Sequence, residues 1–153
     1  MARARHEWLT AGAEDPRNAH PAVASTPTHF YDTAAGVLNS SGSLGNLQLQ
    51  VHSCVAGQHR GFFGATILDR EQPGLAINVV LPEDGTDHIT VNTPLRPPHV
   101  IPKNHCRVWD VDLHEDGTVA NEIYELAGHA KFDCHEPDTD VHLAGDLILK
   151  RCH

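Results

Sequence analysis

From Leu47 to the C-terminus, apolar and polar residues alternate with the period of two that marks half-buried strands. Leu47, Leu49 and Val51 share one face, and Gln48, Gln50 and His52 share the other. The stretch 62–69 is apolar on both faces, which predicts a strand with sheet neighbours on each side and cover above and below. Leu75, Ile77, Val79 and Leu81 alternate up to Glu83-Asp84-Gly85-Thr86, and Ile89 and Val91 continue beyond it. The same four residue types recur at Glu115-Asp116-Gly117-Thr118, between 108–113 and 122–126. Asp-Gly favours the positive φ of tight turns, so both are predicted to close hairpins.

The C-terminal third carries the cleanest pattern. Trp109, Val111 and Leu113 oppose Asp110, Asp112 and His114. Tyr124, Leu126, Ala130, Phe132 and Cys134 keep one parity, with Gly128 predicted as a bulge. The last strand sets Val141, Leu143, Gly145, Leu147 and Leu149 against His142, Asp146 and Lys150. The segment 93–104, with Pro94, Pro97, Pro98 and Pro102, reads as a sheet-to-sheet crossing or a projecting loop. About eight mostly antiparallel strands without a helical stripe predict an all-β fold: a small β-sandwich, jelly roll or barrel.

Residues 1–45 differ in kind. They are rich in Ala, Ser, Thr, Pro, Asn and Gly, with aromatics only at Trp8, Phe30 and Tyr31. At most they suggest short helical turns at 7–12 and 33–38, and they end in the polar run Asn39-Ser40-Ser41-Gly42-Ser43. Such a segment buries too little apolar surface to offset its ordering entropy. The predicted organisation is therefore an extended N-terminal arm over 1–45 and a β domain over 46–153. Phe30, Tyr31, Val37 and Leu38 are the expected anchors of the arm on a partner, because they offer its apolar area next to the domain.

Composition narrows the function. The 153 residues suit one domain. Eleven Lys and Arg against 20 Asp and Glu give a formal charge of −9, which argues against a nucleic-acid partner. No run of residues is apolar enough for a signal peptide or a membrane span, so the expected location is the cytoplasm or a virion. Cys54, Cys106, Cys134 and Cys152 contain no CxxC pair and are expected to be reduced structural residues, ahead of a metal site or a disulfide. Histidine is abundant, at 13 residues, and protonating all of them would carry the formal charge from −9 to +4.

That abundance does not assemble a known catalytic template. There is no His-x-His, no His-Glu-x-x-His and no Gly-x-Ser-x-Gly. The densest set is Asp133-Cys134-His135-Glu136 with Asp138, Asp140 and His142; within it Cys134, His135 and His142 are the candidate metal ligands. Asp110 and Asp112 are spaced roughly 6.5–7 Å along one strand face, within glycosidase range, but read as a solvated acidic face. His52, His114, His129 and His142 fall on polar strand faces, which suggests a pH-responsive surface.

An arm joined to a small β domain is similar in organisation to decoration, tail-tube and minor capsid proteins of tailed phages. That likeness of architecture implies a non-enzymatic assembly subunit without a cofactor, bound to copies of itself or to capsid or tail proteins. The alternative is a β-barrel enzyme or binding module holding zinc, iron or manganese through His and Cys. A carbohydrate-binding sandwich is a third reading, disfavoured by the core parity of Trp109.

Overall fold

The structure, a computed structural model, describes residues 32–153 apart from 70 and 95. It is all-β, with two antiparallel five-stranded sheets packed as a small sandwich. The strands are β1 (Ala34–Ser41), β2 (Leu47–Val51), β3 (Ser53–Ala56), β4 (Gly64–Leu68), β5 (Ala76–Val80), β6 (His88–Thr93), β7 (Arg96–Pro102), β8 (Cys106–Ala120), β9 (Ile123–His135) and β10 (His142–Cys152). One sheet has the order β2-β1-β10-β9-β8 and the other β3-β4-β5-β6-β7. Among the described residues no helix is long and apolar enough to cross a membrane.

Chain neighbours are sheet neighbours almost throughout. Only His52 separates β2 from β3, too short a link for a hairpin, and there the chain passes from one sheet into the other. It returns between β7 and β8, through a single 3-10 turn at Lys103–His105. The circuit closes where β1 pairs with β10. The inner faces meet in one core that includes Leu38, Ile67, Val79, Ile89, Ile101, Phe132, Leu143 and Leu147.

Several expectations are corrected. The arm does not reach residue 45: β1 is hydrogen-bonded to β2 on one side and β10 on the other, and Thr33–His153 forms one compact unit. Ala, Gly, Asn and Ser are weak strand formers, so Ala34–Ser41 looked like linker, but two paired neighbours and the buried Ala34 and Leu38 fix it as a central strand.

The turn at Glu83–Thr86 forms, with Asp84 Oδ1 accepting from Thr86 N at 3.0 Å and Thr86 Oγ1 at 2.5 Å. Its twin at Glu115–Thr118 does not close a hairpin. It is an irregularity within β8, where Glu115 faces Leu126 and Val119 faces Tyr124. Reversal occurs instead at Asn121 and Glu122, both at positive φ (52° and 67°), as a two-residue hairpin turn demands. The observed register sets Trp109 against Phe132 and Val111 against Ala130. A turn at Asp116-Gly117 would have placed Val111 opposite Glu122, so the apolar pairing selects the later reversal.

Gly128 is not a bulge. It pairs in register with Leu113 at φ +139°, and a Cβ there would lie 2.0 Å from the Asp112 carbonyl oxygen. The end of the proline-rich segment makes the expected crossing between the sheets at Lys103, but most of the segment is strand β7. It lies at a sheet edge, the position where a residue without an N–H costs no ladder bond.

The cysteines are oxidised rather than reduced. Cys54 bonds Cys152, tying β3 to β10 across the two sheets, and Cys106 bonds Cys134, tying β8 to β9 within one. Spacing along the chain carries no information on such long-range pairs. Cys152 in addition reaches the inner side only through a register shift after Leu149, which simple alternation does not anticipate.

Candidate functional site

Strands β8, β9 and β10 turn their polar parity to the outside, and the long registers align these side chains in rows. One row runs Val37, Asp146, Lys131, Asp110 across four strands. The next runs Asn39, Ala144, Asp133, Val108. The small Ala144 leaves a shallow notch of about 240 Å3 between Val37, Asn39, Val108, Lys131, Asp133 and Asp146.

Asp133 is the hub of this face. Its Oδ2 accepts from Arg107 Nε at 2.7 Å and Nη2 at 2.6 Å, and its Oδ1 faces His142 Nε2 at 2.6 Å. The hydrogen bond from His142, with Arg107 second, holds its carboxyl below the ordinary carboxylate value against a burial effect of opposite sign. With both oxygens taken by donors, Asp133 is an anchor for Arg107 and His142 rather than a base.

Two further pairs join histidine to carboxylate. His129 Nε2 lies 3.0 Å from Asp110 Oδ1, and this bond raises the His129 pKa above its ordinary value. His99 Nε2 lies 3.0 Å from Glu136 Oε1. His99 also lines a cavity of about 810 Å3 with Ser43, Val91, Thr93 and Arg96, the last donating from Nη1 to the Ser43 carbonyl at 2.6 Å.

The sequence candidates separate. His135 and His142 are brought directly opposite each other, with ring centroids 5.9 Å apart. Cys134 is not with them: alternation turns it inward, fully buried, where it bonds Cys106. The trio cannot converge on one ion. Val37 is half-buried on the outer face of β1, and Leu38 is in the core, so both belong to the sheet rather than to an arm. Phe30 and Tyr31 lie outside the described residues. Asp110 and Asp112 share the exposed face as expected, but Asp110 is engaged by His129.

Sequence reading missed Arg107, and it placed Asp133 in the densest polar set without finding its partners. Parity puts Asp133 outward beside Lys131 and His135, yet its partners are diagonal or across strands, and only the register identifies them. Family models, curated proteins and solved structures give no match to the chain.

The pairs set a pH dependence. His129 titrates above its ordinary 6.5, so its contribution is complete below about pH 6.5 and fades as pH rises through the higher folded value. Asp133 titrates below its ordinary 3.8, so its contribution is present above about pH 4 and is lost as pH falls through the lower folded value. The melting temperature is expected to be highest between about pH 4 and 6.5 and to decline toward pH 8. Asp110→Asn should flatten the decline between pH 6 and 8. An unchanged slope in that variant would remove the His129–Asp110 pair from the explanation.

Proposed function

We propose that the chain is a non-enzymatic structural subunit that joins or decorates a larger particle such as a phage virion, binding protein subunits, either copies of itself or capsid or tail partners. The observation that carries this reading is the β8–β9 hairpin. Strand β8 runs 15 residues along a sheet edge, and near the turn Val119 and Tyr124 face each other across the ladder with 51% and 40% exposure. A long edge offers unpaired backbone groups to an incoming strand. An exposed aliphatic–aromatic pair beside it supplies the apolar area that anchors such contacts.

The two disulfides favour surroundings that are not reducing. A particle exposed outside the cell fits them better than the cytoplasm does. The N-terminal arm, now ending at Asp32, remains the second proposed contact, with Phe30 and Tyr31 as its anchors.

Val119→Asp with Tyr124→Ser tests the hairpin. In sedimentation velocity the double variant should associate at least tenfold more weakly with itself or its particle while its melting temperature stays within a few degrees. Unchanged association would remove the hairpin from the interface.

A further inference from the structure

The corner where the chain crosses from β7 to β8 encloses a cleft of about 610 Å3, between the β5–β6 loop and the 3-10 turn at Lys103–His105. Ligand clefts typically fall between about 300 and 1,000 Å3. We propose that this cleft binds a neutral sugar ring, a ligand role that goes beyond the assembly function and does not depend on it.

Trp109 supplies the platform. Strand parity turns it toward the core, and one side packs on Phe132 at a centroid distance of 6.4 Å. The indole is nevertheless only half-buried, and it lines the cleft beside Val100 and Pro102. Core parity argued against a sugar platform, but the core does not cover the ring completely, and it lines the cleft. Val100, 52% exposed, extends the apolar wall. An indole that packs against Phe132 and also lines the cleft presents aromatic surface for the C–H face of a pyranose.

The rim explains why the ligand is neutral. Its one lysine and one carboxylate face each other, Lys103 Nζ 3.7 Å from Asp87 Oδ2, so neither charge is left over for an ionic ligand. What remains is hydrogen-bonding capacity. Asn104 offers an exposed amide with donors and an acceptor. His88 lies 2.8 Å from the Thr86 carbonyl through Nδ1, which must carry the proton, leaving Nε2 of the neutral ring as an acceptor. Donors and acceptors around an apolar floor, without net charge, match a polyhydroxylated ring better than an anion, a cation or a bare hydrocarbon.

Trp8 and Trp109 are the chain's two tryptophans. A full-length, disulfide-bonded Trp8→Phe variant therefore reports on the cleft alone. Its fluorescence should be titrated with hexasaccharides of glucose, xylose, mannose and N-acetylglucosamine, and with an oligogalacturonate as the anionic control. At least one neutral oligosaccharide should change the emission saturably, and the anionic one should not. Asn104→Ala should weaken that binding roughly 3- to 10-fold. Val100→Asp, on an exposed edge strand, should weaken it at least about tenfold without lowering the melting temperature by more than a few degrees. Silence from every neutral oligosaccharide, a response confined to the anion, or affinities unchanged in both variants would overturn the proposal. None of these outcomes bears on self-association, which the hairpin variants read separately.

Discussion

Reducing both disulfides is expected to lower the melting temperature by roughly 20–30 °C and leave much of the chain unfolded at 37 °C. The Cys54–Cys152 bond joins residues 98 apart, and Cys106–Cys134 joins residues 28 apart. Loop-closure entropy assigns about 4.7 kcal/mol to the longer loop and about 3.5 kcal/mol to the shorter. The second loop is nested in the first, so the joint effect is at most about 8 kcal/mol, comparable with the whole stability of a domain of this size. The longer bond also has a specific mechanical place, holding the edge strand β3 of one sheet to the central strand β10 of the other. Calorimetry with and without reductant, alongside peptide mapping, checks this. Paired Cys→Ala variants should rank the Cys54–Cys152 loss above the Cys106–Cys134 loss. A melting temperature indifferent to reductant would show that the bonds do not hold the fold.

Phe132→Ala is expected to cost 3–5 kcal/mol, at the upper end of core truncations. The ring is 1% exposed and lies in β9 between Trp109 on β8 and Gly145 on β10, its cross-strand neighbours. A Cβ on Gly145 would come within 2.6 Å of it, so the glycine is the space the ring occupies. With no side chain at 145 and a half-buried indole on the other side, little can collapse into the void. Gly145→Ala alone should destabilise by about 1–3 kcal/mol through overpacking. In the Phe132→Ala background the same change fills part of the cavity, so the double variant should lose markedly less than the sum. Urea titrations of the four proteins measure the coupling; strict additivity would contradict the packing described.

Alternation made the all-β character of 47–153 legible, because inner residues from Leu47 to Leu149 must reach one core. Turn chemistry was a weaker guide. Asp84-Gly85 and Asp116-Gly117 are the same words, yet only the first reverses the chain, since the pairing of Trp109 and Val111 with Phe132 and Ala130 outweighs local preference. Strand β1 was illegible for the opposite reason: its small residues carry little propensity and are specified by neighbours 7 to 15 and more than 100 residues away. The outer face of β8, β9 and β10 was half legible. Parity exposed His129, Asp133 and His142, but which carboxylate meets which histidine is a property of register. The disulfides and the β7–β8 cleft depend on how the sheets meet, and nothing in local pattern encodes that.

The central proposal is that residues before Thr33 add to the partner contact of the β8–β9 hairpin while Thr33–His153 folds alone. Light scattering coupled to size-exclusion chromatography, on the full chain and on a chain of residues 33–153, tests it most directly. The account predicts an associated full chain, and a shortened chain that keeps its β spectrum and its melting transition but runs as a smaller species. Two identical monomers, or a shortened chain as associated as the full one, would contradict it.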